Sequence, residues 1–128
     1  MRQHGFTLLE MIVVLAILGL ATAMVAPSAV RGIDSWRRQA AMDALLDQIR
    51  ALPGEARARG RAISISVATL KSASPPLRIE SGWTLSVPVA WKVNANGVCE
   101  DGRVEVGNVR GTRIVAVRAP FCDPQVLP

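Results

Sequence analysis

Gly5-Phe6-Thr7-Leu8-Leu9-Glu10, followed by Met11-Ile12-Val13-Val14-Leu15-Ala16-Ile17-Leu18-Gly19-Leu20-Ala21-Thr22-Ala23-Met24-Val25-Ala26, is the stretch that decides how this chain is read. No charged side chain interrupts residues 11–30. As a helix, Met11 to Ala26 spans about 24 Å and Phe6 to Val30 about 37 Å, at roughly 1.5 Å per residue. A bilayer core of about 30 Å lies between those limits. The segment is therefore long enough and apolar enough to cross a membrane once.

Outward from it, residues 31–128 have room for one small domain. The chain is 50% hydrophobic, 20% charged and only 4% aromatic, with two cysteines. That composition excludes a disordered chain, a collagen-like repeat and a disulfide-dense miniprotein. A single long uncharged stretch excludes a many-spanning transporter. The formal charge is +5, and all but two of the 15 basic residues are Arg. Such an excess is compatible with anionic partners and decides nothing further.

The N-terminal segment has three readings. A secretory signal peptide would use Arg2, an apolar region from Met11 to Leu20 and a cut after Ala21-Thr22-Ala23. Glu10 opposes this, because it puts an acid where positive charge belongs, and the apolar run continues past the cut to Ala26. A plain membrane anchor fits the length but leaves Gly5 and Glu10 without a reason. In the third reading, Met1-Arg2-Gln3-His4-Gly5 followed by Phe6-Thr7-Leu8-Leu9-Glu10 resembles the type III signal of type IV pilins and type II secretion pseudopilins.

That resemblance covers about the first 30 residues closely and the rest only in architecture. It implies a leader, residues 1–5, removed by a prepilin peptidase that cuts between Gly5 and Phe6. Phe6 would then be N-methylated, and residues 6–30 would remain as a membrane and assembly helix. It implies that Glu10 pairs with the N-terminal amine of a neighbouring subunit during filament assembly. The chemistry agrees. A carboxylate at a membrane edge costs up to about 3 kcal/mol if carried to the bilayer centre, and cleavage creates a cation to meet it. The bland alternative is an acid in the first turn of a helix, where the macrodipole favours it.

After Pro27 the pattern changes. Ile33, Trp36, Ala40, Ala44 or Leu45, Ile49 and Leu52 recur at three- and four-residue steps, one face of an amphipathic helix. Asp34, Arg37, Arg38, Asp43, Asp47 and Arg50 fill much of the other face. Ser28 is a candidate cap, and Pro27 is expected to kink one long helix rather than separate two. Pro53-Gly54 predicts an end or bend near Leu52, with a further turn through Arg59 stopped at Gly60.

Beyond Gly60 the period is two. Ile63, Ile65 and Val67 predict one strand, and Trp83, Leu85, Val87, Val89 and Trp91 a second, with Pro88 at an edge or bulge. Arg103 to Val106 and Thr112 to Arg118 predict two more. Ser74-Pro75-Pro76, Asn96-Gly97 and Asp101-Gly102 mark turns. The periodicity predicts an α+β fold. With the resemblance, this becomes a pilin-like domain over residues 31–128. Its helix, 31–60, packs on an antiparallel sheet of four or five strands, 61–128.

Cys99 and Cys122 are too few for a four-ligand zinc site, and the one His, His4, lies in the leader. Outside the cytoplasm the pair is expected to form a Cys99–Cys122 disulfide; two buried free thiols are the alternative. The mature chain has no His, so no Ser-His-Asp set. It also has no Gly-rich phosphate loop, and Glu100-Asp101 offers too few oxygens for calcium. No catalytic residue, cofactor or metal is expected.

The stretch Ala56-Arg57-Ala58-Arg59-Gly60-Arg61-Ala62-Ile63-Ser64-Ile65 resembles the minor pseudopilin H family of type II secretion and its relatives among type IV minor pilins. The resemblance implies a subunit at or near the tip of a periplasmic filament that drives protein export. The chain would be held single-pass in the bacterial inner membrane, with its C-terminal domain in the periplasm. Its implied partners are other pseudopilins, major and minor, the prepilin peptidase and the inner-membrane assembly platform. The rival is a minor type IV pilin acting in pilus assembly or DNA uptake. Arg110, Arg113 and Arg118 would supply the phosphate contacts for that role. No aromatic platform accompanies them, and a solvated strand turn is the plainer reading.

Overall fold

Helix α1 (Leu8–Arg59) is 52 residues long and runs through both prolines that the sequence offers as interruptions. The computed structural model describes residues 4–128; Met1, Arg2 and Gln3, which fall in the expected leader, lie outside the described residues. Two compact units divide the chain, Met1–Gln39 and Ala40–Pro128, and α1 begins in the first and ends in the second.

In the first unit α1 has no charged side chain from Met11 to Val30. Its hydroxyl groups are absorbed by the helix's own backbone. Thr22 Oγ1 donates to the carbonyls of Leu18 and Gly19 at 3.0 and 2.9 Å, and Ser35 Oγ to that of Gly32 at 3.0 Å. Ser28 does not cap a helix start. It sits mid-helix and donates to Val25 O at 2.7 Å, just past the carbonyl that Pro27 leaves without its usual donor. Such internal satisfaction is what an apolar medium requires of a helix.

In the second unit the buried positions of α1 are Ala41, Met42, Leu45, Ile49, Leu52, Pro53 and Ala56. The three- and four-residue steps hold, but only from Ala41 onward. Ile33, Trp36 and Ala40, expected on this face, are exposed, and Leu45 rather than Ala44 takes the inward position. Pro53-Gly54 does not end the helix. Leu52, Pro53 and Ala56 are all buried, and burial of such side chains, about 1.5–3 kcal/mol for a Leu, offsets a proline penalty of about 3 kcal/mol. The stop comes at Gly60, at φ +61°. Arg61 N–H donates to Ala56 O and Gly60 N–H to Arg57 O, at 3.3 and 3.2 Å, closing the last turn in a Schellman arrangement.

The rest of the unit is antiparallel. Strands β1 (Ile63–Ile65) and β3 (Trp91–Val93) form a two-stranded sheet. Strands β2 (Thr84–Ser86), β4 (Gly102–Asn108), β5 (Gly111–Arg118) and β6 (Asp123–Val126) form a four-stranded sheet in the order β2-β4-β5-β6. This is the α+β pilin-like architecture, with two sheets in place of one. Val104 opposite Val115 and Gly102 opposite Val117 set the register of the central pair. Val104, Val106, Val115 and Val117 join Leu45, Ile49, Leu52, Ile65, Leu77, Trp91 and Val93 in one core.

Three strand readings change. Val67 is not in β1: Ser66 and Thr69 form a capping box that starts α2 (Val67–Leu70) and ends the strand. The run from Trp83 to Trp91 is two strands in two sheets, with Leu85 opposite Val106 and Trp91 opposite Ile65. Pro88, lacking an N–H, lies in the break. Strand β6 is additional to the strands that the periodicity predicts; at the edge of its sheet it tolerates Pro124. The long α2–β2 loop is pinned by Gln48, whose amide donates to Arg78 O and accepts from Arg78 N–H, both at 2.8 Å.

Candidate functional site

Gly5 and Phe6 precede α1, and Thr7 starts it. The Glu10 N–H donates to Thr7 Oγ1 at 3.2 Å, and the Met11 N–H to Thr7 O at 3.2 Å. Thr7 is therefore a helix cap that the sequence reading passed over, although Thr-x-x-Glu is a capping signature. Phe6 lies outside the helix, so Phe6 and Glu10 are not one helical turn apart on a common face.

Two features of this segment have no task inside the fold. A Cβ at Gly5 would meet no heavy atom within 4 Å, and Gly5 is not among the positive-φ glycines. Backbone conformation and packing both permit a larger residue there. Glu10 is exposed and sits in the first turn of α1. Its carboxylate takes part in neither ion pair of the described residues, Asp47–Arg50 at 3.0 Å and Glu55–Arg59 at 2.5 Å. Phe6 is 78% exposed, and Leu8, Leu9, Met11 and Ile12 are also exposed. A small residue before an exposed Phe, then an unpaired acid at the head of an uncovered apolar helix, suits recognition by other molecules.

Residues 1–26 match the model for the prokaryotic N-terminal methylation motif. The chain carries a prepilin-type signal. Comparison with curated proteins and with solved structures gives no match. The motif places Gly5, Phe6 and Glu10 inside the matched residues, and it heads the one helix of the described residues long and apolar enough to cross a membrane. Signal and α+β fold together support a pilin-like protein.

In the second unit Cys99 and Cys122 are joined in a disulfide, both buried. Cys99 lies opposite Val93 at the end of β3, and Cys122 in the loop between β5 and β6. The same loop is held by Cys99 N–H donating to Pro120 O at 2.9 Å and Ala119 N–H donating to Asp101 Oδ1 at 2.7 Å. Glu100 Oε2 accepts from Lys92 N–H at 3.1 Å. Glu100 and Asp101 thus brace backbone on either side of the disulfide. Among the described residues no group of three His, Cys, Asp or Glu is placed to hold a metal ion. Closing a loop over a separation of 23 residues is expected to contribute about 3 kcal/mol. Urea unfolding of the detergent-solubilised chain should therefore show a loss of about 3 kcal/mol in Cys99→Ala/Cys122→Ala, and reductant should leave that variant unchanged.

Arg110 stands in the β4–β5 turn, and Arg113 near the start of β5 opposite Val106. Arg118 closes β5 at its other end. Five residues separate Arg113 from Arg118, about 17 Å along a strand, and the odd spacing turns them to opposite sides of the sheet. All three are exposed, but they do not make one basic patch.

Proposed function

We propose that this chain is a minor pseudopilin of a type II secretion system, a structural subunit at or near the tip of a periplasmic pseudopilus. The observation that carries the reading is the unassigned state of Gly5 and Glu10. Neither is needed by the fold, and both lie within the methylation motif. Residues 1–5 are the leader, cut by a prepilin peptidase before Phe6. Residues 6–30 hold the chain in the inner membrane. Residues 31–128 carry the domain, on the periplasmic side, and the compact unit of the structure begins at Ala40. The function is mechanical rather than enzymatic. The Arg-rich end of α1 supports the minor pseudopilin H reading, and the type IV minor pilins that share this feature are the alternative.

Assembly follows from the electrostatics of the first turn. An unpaired carboxylate at the membrane edge is penalised. The amine created at Phe6 of a neighbouring subunit relieves the penalty only when the two helices are in the correct axial stagger. The acid therefore selects register. Glu10→Val is expected to be cleaved and inserted as wild type is, yet to recover partner pseudopilins at least about tenfold less well in detergent pull-downs, equivalent to about 1.4 kcal/mol. Equal recovery would leave Glu10 as a helix-start acid only. Co-purification with type IV pilins in place of pseudopilins would move the subunit to the rival filament.

A further inference from the structure

From the last residue of the membrane stretch onward, α1 carries an apolar stripe that nothing in its own unit covers. Val30, Ile33 and Trp36 are spaced by three residues, a stripe roughly 120° wide. Ile33 is 51% exposed and Trp36 74%. A large aromatic in that state on a regular helix calls for an occupant. Arg31, Arg37 and Arg38 stand among these residues with Asp34 as the single acid. Three positive charges against one negative leave an excess of two, and none of the three arginines is in an ion pair within the described residues.

Distance along the helix identifies what is there. From Leu8 to Trp36 is 28 steps, about 42 Å at roughly 1.5 Å per residue. A bilayer with its headgroup layers is about 40–45 Å thick. A helix that enters one side of the membrane at Leu8 emerges into the opposite headgroup layer at Trp36. Indole rings concentrate at that depth, where one end is apolar and the other wet, and arginine side chains extend their stems along lipid while their guanidinium groups reach phosphate.

We infer that Val30, Ile33 and Trp36, with Arg31, Arg37 and Arg38, form an interfacial anchor seated in the anionic headgroup layer of the bilayer on the side of the C-terminal unit. The inference rests on reading the apolar part of α1 as a membrane span. The anchor fixes the depth of the helix before assembly, and so the height at which Glu10 is presented at the other surface. It also assigns a role to Trp36, whose exposure the helix's packing in the second unit does not account for.

Tryptophan fluorescence of the full-length chain in phosphatidylcholine–phosphatidylglycerol vesicles tests it, after flotation to establish insertion. Trp36→Phe is the comparison, since an exposed position tolerates the change. Wild type is expected to show an emission component absent from Trp36→Phe. Bromines near the headgroup end of the acyl chains should quench it roughly twofold more than bromines near the chain ends. Omitting phosphatidylglycerol should weaken it. If the chain floats with the vesicles but wild type and Trp36→Phe are quenched alike, the span stands and the anchor is overturned. If the component vanishes when the protein is diluted in the bilayer, the stripe belongs to a second copy, and the anchor is again overturned. If the chain fails to float, the span and the anchor fall together.

Discussion

Gly5→Leu keeps its leader. Co-expressed with a prepilin peptidase, the wild-type chain is expected to lose Met1 to Gly5 and begin at N-methylated Phe6. The Leu variant stays at full length. The reason is local. The scissile bond must lie in the peptidase site with reacting atoms aligned, and a branched side chain beside it forces a displacement. A misplacement of about 1 Å is enough to slow a reaction about 100-fold, or about 2.7 kcal/mol in the barrier. The fold itself makes no such demand. A side chain at Gly5 meets nothing within 4 Å, and α1 starts three residues later. Circular dichroism and membrane insertion of Gly5→Leu should therefore match wild type while its mass does not. Intact-mass analysis showing a mature chain that begins at Met24 would return the segment to a secretory signal, and equal cleavage of the variant after residue 5 would remove the demand for a small residue there.

Gly102→Ala should be the most destabilising single methyl in the sheet. The indole of Trp91 lies flat against Gly102. An added Cβ would stand 2.5 Å from both Cδ1 and Cδ2 and would also overlap Cγ. Trp91 is 3% exposed and fixed by the β1–β3 ladder, so the ring has no free space to move into. Overpacking of this kind costs about 1–3 kcal/mol and occasionally more; the overlap falls on a rigid ring, and about 3 kcal/mol is expected. Gly54→Ala is the matched control. It lies within α1, meets nothing within 4 Å, and should stabilise by about 0.5–1 kcal/mol through helix propensity. Urea unfolding of the detergent-solubilised chain measures both. A Gly102→Ala cost below about 0.5 kcal/mol would mean that the ring moves at little expense, contrary to the packing described.

These two glycines differ in what made them legible. Gly5 was readable in one dimension because its neighbours Phe6, Thr7 and Glu10 stand beside it in the chain. Gly102 looked like half of an Asp101-Gly102 turn. Its partner Trp91 is eleven residues away, on a strand of the other sheet. The same division runs through the rest of the molecule. The uncharged run, the helical period from Leu45 to Leu52, the stop at Gly60 and the alternation of β4 and β5 depend on residues within one or two turns of each other.

What the sequence determined by itself was therefore the prepilin-type signal, a helix long and apolar enough to cross a membrane, and the α+β class, since spacing and charge along the chain carry all three. Only the tertiary structure decided that α1 continues through Pro53-Gly54, because burial of Leu52, Pro53 and Ala56 outweighs the backbone penalty. It alone split Trp83–Trp91 between two sheets, because a run of alternating residues does not say which strand lies beside it. It alone separated Arg118 from Arg110 and Arg113, because five residues of extended chain carry a charge about 17 Å away and to the other side of the sheet.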